Sequence, residues 1–296
     1  MKKYKNLSNR KFHPDGFTPG ARKSPLDLRN YKVIEKKVLA IALPDEFQLK
    51  KGTVLNQGNV GSCVAHATAS FVEVANKNDQ KYSTGWIYGQ RSNKKDESRG
   101  MVTSDACKIL LNVGEINYET FPENIEVIKA IDLVNERFNK LKGEASKIKI
   151  KEYASLDKKD INKIKSWLYT EQLPILIACN VDGWYYDIYE KSMISKYNSG
   201  GHCMLLIGWN KNGWIVQNSW GNYNYDEEVN GKLFKTGWEP GLIVLSYDYP
   251  ILELWAMKYE GKSEVEQLTI VKPSFYGLRS FFQNIINFFR DLFWWL

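Results

Sequence analysis

After Gly61-Ser62, Val64, Ala65, Ala67, Thr68, Phe71, Val72 and Ala75 recur at three- and four-residue steps, which predicts a helix beginning there. A second helix is predicted after Thr103-Ser104-Asp105, with Ala106, Ile109 and Leu110 on one face and Gly114 as its stop. Residues 124–142 and 158–171 carry further helical patterns. From Ile148 the texture changes. Residues 175–178, 202–209, 213–218 and 241–246 are short apolar or alternating runs bounded by Gly, Asn and Pro, and predict strands. A helix-rich half (about 44–147) followed by a strand-rich half (about 148–262) predicts an α+β fold of two lobes with a cleft between them. Clefts of that kind are where sites usually lie.

Two segments stand outside this body. Residues 1–43 are basic and punctuated by Pro and Gly, and read as an extended arm with one short strand at 38–43. In residues 273–296, Leu278, Phe281, Phe282, Ile285, Ile286, Phe289, Leu292, Phe293 and Leu296 mark one face of a C-terminal amphipathic helix. A bilayer-spanning placement would cost about 2.5–3.5 kcal/mol for each of Arg290 and Asp291 near its centre. The expectation is therefore a helix lying on a membrane surface, with Trp294 and Trp295 at headgroup level, or docked on protein.

Composition changes this picture little: 43% hydrophobic and 25% charged residues are ordinary for a globular chain of 296 residues. Charge changes it more. Residues 1–43 hold eleven Lys/Arg against three Asp/Glu, so the net +7 of the chain resides in the arm and the remainder sums to about −1. A near-neutral body argues against a nucleic-acid binder and leaves the arm a role of its own. It is a passive tail, a cover for the cleft, or a site for an anionic partner.

The four cysteines, Cys63, Cys107, Cys179 and Cys203, include no C-x-x-C pair. Three histidines without H-x-x-x-H spacing argue against zinc, so neither metal nor cofactor is expected. The basic N-terminus runs into no apolar stretch, which leaves no secretory signal visible and favours a cytoplasmic location, peripheral to a membrane if the C-terminal helix binds one.

Three separated motifs carry chemistry. Cys63 follows Gln57-Gly58-Asn59-Val60-Gly61-Ser62 and opens a predicted helix, whose N-terminal partial charge favours a thiolate. The Gln57 amide and the Cys63 N–H could both donate to an oxyanion. His202 follows Gly200-Gly201 at the head of an apolar run and is suited to exchange a proton with sulfur. Asn218-Ser219-Trp220-Gly221 closes a strand, so the Asn218 amide could hold the imidazole while Trp220 shields that bond from water.

Together these motifs resemble the papain-like (C1) cysteine peptidase family over roughly residues 44–260. The spacings agree with the family pattern: six from Gln57 to Cys63, 139 from Cys63 to His202 and sixteen from His202 to Asn218. The resemblance implies Cys63 as nucleophile and His202 as its proton partner, the two standing as a thiolate–imidazolium pair, with Asn218 as orienter of the ring and Gln57 as oxyanion donor. It implies Gly100 as a substrate-pairing glycine, with Gly201 and Trp220 beside the substrate, and a peptide or protein as that substrate. Departures are Val60 and Val64, where the family has a cysteine and a tryptophan, and Arg99 before Gly100. The long helical pro-segment of the family is missing, which leaves open whether residues 1–43 are a short inhibitory arm. Endo- and exopeptidase activity both remain open. So do two alternatives: an amidase or acyl transferase on the same fold, and a binding scaffold without turnover.

Overall fold

The computed structural model describes residues 19–26, 32–35, 42–93, 100–122, 127–181, 184–187, 191–195, 201–222, 227–229, 232–259 and 268–271. The amphipathic segment 273–296 and most of the expected strand at 38–43 lie outside them, and the described Ala42 and Leu43 are not in a strand.

Three short strands precede the body: β1 (Ala21–Arg22), β2 (Lys32–Glu35) and β3 (Phe47–Gln48). The helical half follows as α1 (Cys63–Asn76), α2 (Thr84–Gly89), β4 (Met101–Val102), α3 (Thr103–Asn112) and α4 (Val127–Ala145). The later half holds β5 (Ile150–Leu156), α5 (Ile161–Glu171), β6 (Ile175–Asn180), β7 (Trp184–Asp187), β8 (Ser192–Ser195) and β9 (Gly201–Asn210). It continues with β10 (Gly213–Gln217), β11 (Glu227–Val229), β12 (Lys232–Phe234), β13 (Leu242–Leu245), β14 (Ile251–Tyr259) and β15 (Leu268–Val271). This is the expected α+β layout of a helical lobe and a strand-rich lobe.

Helix α1 is buried along every residue but its last, so its apolar content extends around the whole cylinder. It packs against α2 on one side and β9 on the other, and so forms the wall common to both lobes. Lys77 ends it in a left-handed conformation, returning its N–H to the Glu73 and Val74 carbonyls. Helix α3 stops as expected at Gly114, whose φ of +100° suits glycine. A Cβ there would lie 2.0 Å from the Ala145 carbonyl oxygen. Helix α5 begins three residues later than its periodicity predicts because Asp160 caps it, its side chain accepting from the Lys163 N–H at 3.0 Å.

The helical lobe is filled by Trp86, which stacks on Phe138 with centroids 5.7 Å apart and donates its ring N–H to the Gly114 carbonyl. The strand-rich lobe is built on a sheet ordered β15-β2-β5-β14-β6-β9-β10-β13-β8-β7, with β3 added to β9. Its centre is β9, buried along its length between β6 and β10. Strand β2, from the basic arm, sits inside this sheet between β15 and β5.

Candidate active site

Cys63 is the first residue of α1 and is fully buried. Burial pushes its thiol up to about 11, against the lowering pull of the backbone N–H groups of Cys203, Gly20, Val64 and Cys63 itself. Two of those donors belong to the first turn of α1, where orphan N–H groups gather. The third, Cys203, is the neighbour of His202 on β9, and this is how the helix and the sheet bring the two motifs together. The fourth, Gly20, belongs to the N-terminal arm. The sequence led to the expectation of a readily ionised thiolate; in this closed arrangement desolvation outweighs the helix terminus and the thiol is neutral.

His202 is held from two sides. Its Nε2 donates to Asn218 Oδ1 at 2.7 Å, a direction set by the amide oxygen, which only accepts. With the proton on Nε2, a neutral ring has its lone pair on Nδ1, the nitrogen suited to take a proton from sulfur. The Trp220 ring stacks on the imidazole at 4.8 Å between centroids and 28° between planes. Asn218 is fixed in turn: its N–H donates to the Gly241 carbonyl at 2.8 Å, and its Oδ1 also accepts the Ser219 N–H at 2.8 Å. His202, Asn218 and Trp220 are all buried, so water competes poorly for the imidazole–amide bond.

Gln57 is tied to the same corner. Its backbone N–H donates to the Ser219 carbonyl at 2.9 Å, and its Oε1 accepts from Ser219 Oγ at 2.7 Å. That leaves the amide nitrogen directed along the turn before Cys63, where it donates to the Val60 carbonyl at 3.0 Å. An amide nitrogen carries two hydrogens, so this bond alone does not preclude donation to an oxyanion. Ser219 thus sets which way Gln57 faces. The sequence reading passed over it as part of the N-S-W-G turn, since nothing local pairs it with a residue 162 positions away.

The remaining two sequence candidates, Gly100 and Gly201, flank an extended stretch of the arm. Strand β1 pairs in parallel with β4, and Met101 N–H donates to the Gly20 carbonyl at 2.8 Å. A Cβ on Gly100 would approach that same carbonyl oxygen to 2.7 Å, and one on Gly201 would come within 2.1 Å of the Ala21 carbonyl oxygen. Both glycines therefore stand where a backbone passes close by. That backbone is the chain's own, and it covers Cys63. The other histidine among the described residues, His66, is turned to the start of α1, with Nδ1 3.0 Å from the Ser62 carbonyl oxygen and 3.2 Å from Ser62 Oγ. Among the described residues no group of three His, Cys, Asp or Glu side chains is placed to hold a metal ion.

The model of papain family cysteine proteases matches residues 43–231. A comparison with curated protein sequences finds no match. Among solved structures the chain is similar to xylellain, a cysteine protease from Xylella fastidiosa, at 20% identity and a TM-score of 0.61, over 82% of this chain and 96% of that one. It is similar to procathepsin L2 from the larval midgut of Tenebrio molitor at 18% identity and a TM-score of 0.57, over 82% and 78% of the two chains. It is also similar to procathepsin B S9 from Trypanosoma congolense at 12% identity and a TM-score of 0.54, over 82% and 87%. The family match covers more than half of the chain, the two-lobed architecture is the same, and the chain belongs to the papain family of cysteine proteases.

Proposed function

We propose that this protein hydrolyses peptide bonds with Cys63 as nucleophile, His202 as proton acceptor and donor, Asn218 as orienter of the ring and Gln57 as oxyanion donor. The observation that carries this reading is the His202–Asn218 bond, which fixes the tautomer a thiol needs while Cys203 N–H, one residue away, lies at the Cys63 sulfur. The extended arm between Gly100 and Gly201 supports a peptide as the substrate, since the groove already accommodates one.

In this mechanism sulfur gives its proton to His202 Nδ1 and attacks the carbonyl carbon of the scissile bond. The electron pair of the C=O moves to oxygen, which the Cys63 N–H and the Gln57 amide stabilise. Collapse expels the amine, protonated by His202, and leaves a thioester. Water adds to the thioester with His202 as base and releases the acid and the thiol. The imidazolium formed on the way is favoured by its bond to Asn218 and by the face of Trp220.

Replacing Cys63 with Ala tests this. Loss of the nucleophile is expected to lower kcat on the order of 10⁶-fold, while separate replacement of Cys107, Cys179 and Cys203 leaves turnover in place. Hydrolysis retained by Cys63→Ala contradicts the reading. A transferase would instead show acyl product accumulating on an added amine at the expense of acid.

A further inference from the structure

We propose that His66 is a positioning residue for the oxyanion donor: its ring N–H binds the carbonyl of the Ser62–Cys63 peptide and so polarises the Cys63 N–H at the other end of the same amide. The effect on turnover rests on the peptidase reading above; the polarised peptide does not.

His66 lies one turn into α1, and both it and Ser62 are 5% exposed, so water competes poorly for their contacts. Its Nδ1 is 3.0 Å from the Ser62 carbonyl oxygen and 3.2 Å from Ser62 Oγ. The shorter contact sets the tautomer. A carbonyl oxygen only accepts, and a ring lone pair at that distance would face the lone pairs of the oxygen, so Nδ1 carries the proton. The same oxygen accepts the His66 backbone N–H at 3.0 Å, the ordinary bond of a first helical turn. Both of its lone pairs are then engaged by His66.

The position of this carbonyl gives the bond its consequence. Ser62 C=O and Cys63 N–H belong to one planar peptide, whose resonance moves electron density from nitrogen to oxygen. A donor on the oxygen favours that shift and leaves the N–H more positive, the cooperative strengthening of hydrogen bonds in series. The Cys63 N–H is the donor that the proposed hydrolysis aims at the developing oxyanion. His66 therefore acts on the transition state without touching the substrate.

The Ser62 side chain adds a second, independent observation. Ser62 occupies the N-cap of α1, where a serine ordinarily accepts from an N–H two or three residues on. Here it makes no such bond, and its hydroxyl lies at His66 Nδ1 instead. The first-turn N–H groups are left for the reacting atoms, and those of Cys63 and Val64 are directed at the sulfur. Phenylalanine at position 66 would fill the same buried space and offer neither contact.

The test combines a signal from the resting protein with a rate. Ser62–Cys63 is the only Ser-Cys step in the sequence, so protein carrying 13C-carbonyl serine and 15N-cysteine reports this one peptide by NMR. His66→Phe is expected to move the Ser62 carbonyl signal upfield, and His66→Asn, which restores an N–H near the place of Nδ1, to return it. Acylation by an activated peptide ester should slow about 2–8-fold in His66→Phe and recover in His66→Asn. That range is the share which a strengthening of about 10–30% takes of the roughly 10²–10³-fold worth of one oxyanion donor. Alkylation of Cys63 by iodoacetamide builds no oxyanion and should be equal in all three proteins. If the carbonyl signal responds while no protein forms an acyl-enzyme, the polarised peptide stands and the peptidase reading falls. An unmoved carbonyl signal in His66→Phe overturns the proposal, as does acylation that keeps its wild-type rate or falls in step with alkylation. So does an unprotonated His66 Nδ1 in 15N-histidine-labelled wild-type protein, a measurement that needs no substitution to fold.

Discussion

His202 and Trp220 stack face to face, 4.8 Å between ring centroids, over the bond that joins His202 Nε2 to Asn218 Oδ1. The indole thereby does two things: it fixes the plane in which the imidazole can swing, and it keeps water from the hydrogen bond that sets the tautomer. In the reaction proposed above, sulfur chemistry at Cys63 depends on that tautomer, since only a ring protonated on Nε2 offers Nδ1 as a base.

Asn218→Ala should therefore cost kcat on the order of 10²–10⁴-fold, the range seen when the orienter of a catalytic imidazole is lost. Binding of peptide should change much less. A pre-steady-state measurement of acylation separates the two, and an unchanged acylation rate would mean that packing against Trp220 alone orients the ring.

Gln57→Ala should lower kcat about 10²–10³-fold while leaving alkylation of Cys63 by iodoacetamide unchanged, because alkylation builds no oxyanion. Ser219→Ala should reproduce part of this loss, since it frees the Gln57 amide to rotate. Equal losses in turnover and alkylation would assign Gln57 to local folding instead.

The pH dependence of labelling follows from burial. Burial raises the Cys63 thiol to about 11, so it stays protonated through neutral pH and its alkylation should climb only towards that value. Relative to an exposed cysteine the folded pKa is raised, so this contribution to the closed form is fully present below the ordinary thiol range. It is lost as pH rises from there through about 11. A midpoint in the ordinary thiol range would show that Cys63 is not desolvated as its burial implies.

Stability of the helical lobe should be most sensitive at Trp86, which is fully buried, stacks on Phe138 and donates to Gly114. Trp86→Ala is expected to cost about 3–5 kcal/mol, measurable as a lower denaturant midpoint. A loss below about 1 kcal/mol would mean that the lobe is not built on this side chain.

The parts of this architecture that repeat along the chain were the parts that could be read from it. Helices α1 and α3 and strand β9 carry long apolar patterns, and Cys63, His202, Asn218 and Gln57 stand in motifs with recognisable spacing. Helix α2 has six residues, TGWIYG, too few to display a period, and owes its position to the Ser83 cap and to the burial of Trp86. Strand β2, KVIE, has two apolar residues between charges, and its place inside the sheet is decided by β5 and β15. The basic arm drew attention through its charge, yet it engages the groove chiefly through uncharged backbone at Gly20 and Ala21. The Ser24 hydroxyl donates to Glu253 Oε1 at 3.0 Å across 229 positions of sequence, and nothing near either residue announces the other.

The central claim is that Cys63 is the nucleophile of a hydrolase, and the most direct test is to catch the acyl-enzyme. The protein, mixed with an activated peptide ester and quenched in acid, should gain the mass of one acyl group, mapped by fragmentation to Cys63 and absent from Cys63→Ala. An acyl group on any other residue, or hydrolysis that proceeds without one and survives the loss of Cys63, would contradict the account.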